Sequence, residues 1–143
     1  MLTTNCFQNA RFSSWFKFRQ HLETSKDPFK EVASYFLKFN RVKIYTDPYD
    51  RSTWPTAWEL IAENEYCKFN VILGICYTLQ LTERFKDCQP IIKIMIDRES
   101  KIVYYLLFVK NKVYGYADEE WINVADLPKS LKIQKIYRMD ALH

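Results

Sequence analysis

Apolar positions recur at helical spacing in the first half of the chain and alternate in the second. Phe12, Trp15, Phe16, Arg19 and Leu22 follow a rhythm of about 3.6 residues, which predicts an amphipathic helix near residues 10–23 with Phe18 off the stripe. Asp27-Pro28-Phe29 opens a second helix, with Asp as N-cap and Pro at the first helical position. Its apolar face is Phe29, Val32, Phe36 and Phe39, and Asn40 is its expected stop. Residues 41–53 read as a short extended piece followed by turns at Asp47-Pro48 and Asp50. Thr56-Ala57-Trp58-Glu59 has the form of a capping box, which starts a helix running to about residue 64. After a break at Asn64–Tyr66, a more buried helix covers about residues 67–82, with Phe69, Ile72, Leu73, Cys76 and Leu79 on one side. Gly74 in its middle costs about 1 kcal/mol relative to Ala, and a close helix-to-sheet contact is the expected reason for it.

The second half predicts strands. Ile91–Ile96 is β-branched and apolar, residues 97–100 form a polar turn, and Ile102–Val109 is apolar on both alternating sets. A strand of that last kind is central, or has one face covered by a partner. Asn111-Lys112 reverses the chain into Val113–Tyr116, and residues 131–138 can add a further strand. Helices first and antiparallel strands after give an α+β fold, with N-terminal helices packed on a three- to four-stranded antiparallel meander. Nothing in the composition marks a linker or repeat, so residues 1–143 are read as a single domain.

Composition adds a hint of function. Ten Phe, ten Tyr and four Trp exceed what a small core easily hides, so some of them are expected on a contact surface. Trp15, Trp54, Trp58, Tyr104 and Tyr105 are the candidates. The net charge of +4 is mild, and Lys129, Lys132, Lys135 and Arg138 form the nearest approach to a basic stripe, an edge for weak nucleic-acid binding. Cysteines at 6, 67, 76 and 88 form no C-x-x-C pair, which favours free thiols in a reducing, intracellular setting. No secretory signal and no apolar run of spanning length is read, so no membrane role is expected. Asp118, Glu119 and Glu120 read as a solvated loop, two isolated glycines exclude a phosphate-cradling loop, and no cofactor or metal is expected.

Tyr66-Cys67-Lys68-Phe69-Asn70 ahead of an apolar helix, followed by a meander, resembles the transglutaminase-like branch of papain-type cysteine enzymes over roughly residues 56–117. In that family a cysteine starts a buried helix, and the resemblance implies Cys67 at the nucleophile position. A helix N-terminus favours the thiolate, and Lys68 adds positive charge. The family's general-base histidine lies on the first strand after the helix, whereas Ile91–Ile96 holds none, and the chain's histidines are His21 and His143. A thiolate with no base to shuttle its proton is a poor acyl-transfer catalyst. The segment from Asp47 to Phe85 is also similar to small proteins encoded by large contractile-tailed phages of marine bacteria, which implies a phage protein and carries no activity to any residue.

The leading expectation is therefore a non-enzymatic protein that works by contact with a protein partner or as a homo-oligomer, in a host cytoplasm or a phage particle. A transglutaminase-like cysteine enzyme, or its inactive descendant, with Cys67 as the nucleophile is the first alternative. Weak nucleic-acid binding is the second.

Overall fold

The computed structural model describes residues 6–39, 41, 42 and 46–140. Four helices precede the strands: α1 (Cys6–Leu22), α2 (Pro28–Leu37), α3 (Ala57–Glu63) and α4 (Lys68–Gln80). Five strands follow, β1 (Ile91–Asp97), β2 (Val103–Val109), β3 (Lys112–Ala117), β4 (Glu120–Asn123) and β5 (Leu131–Arg138). The α+β class holds, and the sheet has five strands rather than three or four.

Local chemistry sets the helix starts. The Asp27 side chain accepts from the Lys30 N–H at the head of α2, with Pro28 following it. The Thr56–Glu59 capping box is complete: Thr56 Oγ1 accepts from the Glu59 N–H, and Glu59 accepts from the Thr56 N–H. Asn64 ends α3 in the left-handed region (φ 57), donating its N–H to the Leu60 carbonyl, and this makes the break before α4. Asn40, the expected stop of α2, lies outside the described residues.

α4 is the hub. Every residue from Phe69 to Gln80 is buried, as befits a helix apolar almost all round, packed by other helices on one side and by the sheet on the other. Hydrogen bonds to other elements anchor it at Thr78 and Gln80. Trp15 Nε1 donates to Thr78 Oγ1 (3.0 Å), whose hydroxyl donates to the Gly74 carbonyl (2.6 Å), and Gln80 Nε2 donates to the Asp140 carbonyl (2.8 Å). Arg11 on α1 donates to the Ile61 and Ala62 carbonyls, holding α1 against the C-terminal end of α3 where helical carbonyls lack intrahelical partners.

Two helix expectations change. On α1 the core-facing residues are Trp15 and Leu22 with Phe12 and Phe18 beside them, while Phe16 is 53% exposed. Phe18 stacks on Tyr35 of α2 at 4.2 Å, so the stripe runs through 15, 18 and 22 and leaves 16 outside. Gly74 answers a helix rather than the sheet. A Cβ there would lie 2.6 Å from Cε1 of Phe36, so the glycine lets α2 approach α4.

The sheet runs β4-β3-β2-β1-β5, entirely antiparallel. β2 is central, as its doubly apolar pattern requires. Ile92, Tyr105, Leu107, Val109 and Tyr114 pack with the helices. Met95, Leu106 and Val113 lie on the other face, covered in part by Leu127 and Leu131. β4 was unexpected because Glu120-Trp121-Ile122-Asn123 is short and follows an acidic loop. It is anchored by Trp121, whose ring packs on Phe29 of α2 (4.8 Å) and Tyr114 (5.4 Å). The basic stripe is split: a strand alternates faces every residue, so Lys135 and Arg138 point to opposite sides of β5.

Candidate functional site

Cys67 is the N-cap of α4, in extended conformation (φ −79°, ψ 170°), and its carbonyl accepts the first helical bond from the Val71 N–H. Its side chain is 0% exposed and makes no capping hydrogen bond. The preceding residue is pinned as well: the Tyr66 carbonyl accepts from the Val42 N–H, and its ring stacks on Phe39 at 5.2 Å. The cysteine thus stands at a helix start, while access to its thiol is closed.

Aromatic rings pack beneath the start of α4. Phe69 meets Trp54 at 5.0 Å and Tyr105 at 5.5 Å, and Trp54 meets Tyr137 edge-on at 4.7 Å. Burial pushes the Tyr105 phenol upward, and the charges of Tyr49, Asp47 and Cys67 push the same way. Tyr105 pairs across the ladder with Ile94, and Ile92 and Ile94 are both 0% exposed. These isoleucines occupy the strand on which the cysteine-enzyme resemblance places a histidine. His21 is engaged elsewhere, bonded to Glu31 at 2.8 Å, and His143 lies outside the described residues.

A groove of about 820 Å³ opens beside Cys67 without exposing it. Arg41, Lys68 and Ile72 line it from the α4 side, and Tyr114, Tyr116 and Glu119 from β3 and the turn after it. Gly115 shapes its floor. Its φ is +112°, and a Cβ would stand 2.2 Å from the Tyr105 carbonyl oxygen, so only glycine permits β3 to run this close to β2. Asp118 and Glu119 sit at the rim, and among the described residues no group of three or more His, Cys, Asp or Glu is placed to hold a metal ion. No described helix is long and apolar enough to cross a membrane.

The contact candidates separate. Trp15 is a correction: it is 1% exposed and bonded to Thr78, because the indole N–H finds a buried hydroxyl one helix away. Trp54 is half-buried, its Nε1 donating to the Asp47 carbonyl (3.0 Å). Tyr105 is half-buried under α4, and Tyr104 lies on the opposite sheet face against Tyr116 (4.9 Å). Trp58 is 53% exposed. Phe16 and Arg19 entered the sequence reading only as members of the α1 rhythm and not as contact candidates, and Arg41 did not enter it. Arg19 sits on the apolar stripe of α1, and a cation at a core-facing position is the signal that marks it.

No family model and no curated protein matches the chain. Among solved structures it is similar to calcium-bound LapG of Legionella pneumophila, at a TM-score of 0.68 and 18% identity, over 91% of this chain and 75% of that one. A second LapG structure from the same organism gives 0.68 and 18% over 93% and 77%, and the EGTA-treated form gives 0.65 and 19% over 88% and 71%. At such identities the likeness is one of fold alone.

Proposed function

We propose that the chain is a descendant of a transglutaminase-like cysteine enzyme in which Cys67 keeps the nucleophile position but no longer acts, and in which the fold serves to bind a protein partner. The observation that carries this reading is the sealed thiol: Cys67 caps the central helix at 0% exposure, and the first strand after that helix carries buried Ile92 and Ile94 rather than a histidine. Acyl transfer needs both an accessible thiolate and a proton acceptor. Tyr105, the titratable side chain whose phenol feels Cys67, is shifted upward and stays protonated at neutral pH, so it is a poor acceptor. The groove at the head of α4 supplies a cleft for binding without chemistry. The partner is a phage or host protein, in keeping with the similarity of residues 47–85 to small phage proteins.

The position of Cys67 at the start of a 13-residue helix also supports an active cysteine enzyme. Alkylation of the folded protein by iodoacetamide between about pH 6 and about pH 9, read per cysteine by peptide mass spectrometry, separates the two. Protection of Cys67 while half-buried Cys88 reacts supports the silent-enzyme reading. Fast modification of Cys67 alone at the acidic end overturns it in favour of acyl-transfer chemistry.

A further inference from the structure

On the exposed face of α1 and α3, Arg19 makes no ion pair with any of the described residues. The Arg19 guanidinium lies 4.4 Å from the Trp15 ring centre, 5.5 Å from Phe16 and 6.0 Å from Trp58. Trp58 stands edge-on to Trp15 at 5.3 Å and tilted on Phe12 at 6.5 Å, so the rings form one continuous aromatic surface. Phe16 and Trp58 are each 53% exposed. Nε of Arg19 is buried with no hydrogen-bond partner among the described residues, whose ion pairs are His21–Glu31 and Lys86–Glu83. Partial burial lowers the Arg19 pKa, the sign of a charge that has lost water and gained no carboxylate.

A buried donor without an acceptor carries a free-energy penalty in the free protein. Ring faces compensate a guanidinium in part, but they do not accept its N–H groups as a carboxylate does. Arginine flanked by tryptophan is also the side-chain set that dominates binding energy where water is excluded. We infer that this face is a docking site for a protein segment presenting an Asp or Glu carboxylate among apolar side chains, the carboxylate meeting Arg19 and the apolar groups meeting Phe16 and Trp58.

The charge pattern selects this occupant. A nucleic-acid backbone calls for a row of exposed cations. Here Arg11 is committed to the Ile61 and Ala62 carbonyls, and Lys17, two residues from Arg19, points from a different side of α1. One free guanidinium in an aromatic ring matches one carboxylate in an apolar setting.

The test is selection of random linear peptides on the whole protein, followed by titration of a synthesised winner. The expected winners carry Asp or Glu next to apolar residues. Their affinity falls at least about tenfold in Trp58→Ala and in Arg19→Gln, each variant confirmed as folded by circular dichroism at the assay temperature, and it is unaffected by Lys68→Ala in the groove. Basic or purely apolar winners, no enrichment, or binding that survives Trp58→Ala overturns the inference. Binding lost in Lys68→Ala but kept in Trp58→Ala overturns it and places recognition in the groove instead. A dimer in sedimentation that Trp58→Ala dissolves also overturns it, making a second copy the occupant.

Discussion

Replacing Gly74 by alanine sets two effects of known sign against each other. In an exposed helix the change stabilises by about 1 kcal/mol, because glycine gives up more backbone freedom on folding. Here the new methyl arrives 2.6 Å from Cε1, 2.9 Å from Cζ and 3.0 Å from Cδ1 of Phe36. Ordinary carbon contacts lie at about 3.5–4.0 Å, so the ring or the helix must retreat by roughly 1 Å. The ring has little room: Phe36 is 0% exposed, with Tyr35 at 5.2 Å, Tyr66 at 5.5 Å and Phe39 at 6.2 Å. Forcing a methyl into such packing costs about 1–3 kcal/mol, rising toward the upper end when neighbours cannot yield, so overpacking wins. Gly74→Ala should destabilise by about 1–2 kcal/mol net and lower the melting temperature by about 3–6 °C. Urea unfolding should show a lower midpoint with an unchanged slope. In a double-mutant cycle, trimming the ring with Phe36→Leu should recover about 1 kcal/mol of coupling. A stabilised Gly74→Ala protein, or a cycle with no coupling, would refute the idea that the Phe36 contact is why position 74 is glycine.

Thr56→Ala removes the hydroxyl that accepts from the Glu59 N–H, while the backbone N–H at 56 can still donate to the Glu59 carboxylate; it should cost about 1 kcal/mol in urea unfolding, with Thr56→Ser restoring most of it. Gly115→Ala meets a backbone carbonyl at a positive φ and should cost more than about 2 kcal/mol, with amide exchange quickening first along β2 and β3. Burial pushes the Tyr77 phenol, which donates to the Pro55 carbonyl, up to about 12. Its folded pKa is raised above an unfolded value near 10, so its contribution is full below about pH 10 and is lost as pH climbs toward about 12; Tyr77→Phe should flatten that alkaline limb of a stability profile. Glu31 shifts the other way. Hydrogen bonds from Ser25 and then His21 lower its carboxyl pKa, so its contribution is present above the unfolded carboxyl value and fades as pH falls through the folded one. An NMR titration of the Glu31 carboxyl in Ser25→Ala should move that midpoint back upward.

Much of this architecture was legible because local signals and tertiary packing agree. The Thr56–Glu59 box, Asp27-Pro28 and the Asn64 break each rest on backbone groups within a few residues, and sequence reports such chemistry directly. The α1 stripe was misread between Phe16 and Phe18 because aromatics flank Trp15 on both sides, and only the position of Tyr35 decides which ring turns inward. Gly74 announced a close approach but not its partner, since α2 and the sheet were both available. β4 carries too few residues to show a period, and it exists because Trp121 finds Phe29 and Tyr114. At the site, sequence located Cys67 at the head of the helix. Its closure depends on Tyr66 and the Arg41–Tyr66 bridge, a pairing of segments that no local pattern encodes.

The strand order also sets a sequence of events. β1 meets β2 across a short turn, but its other edge is filled by β5, more than thirty residues downstream, after β3 and β4 have turned away in the opposite direction. Until that distant ribbon docks, β1 presents unpaired amides and carbonyls flanked by Ile92 and Ile94, a template for any stray strand. Closure of a loop this long is slow compared with hairpin formation. The half-zipped chain with β1 bare is therefore its most aggregation-prone form, and substitutions that weaken β5 should reduce the yield of soluble protein before they measurably alter the finished fold.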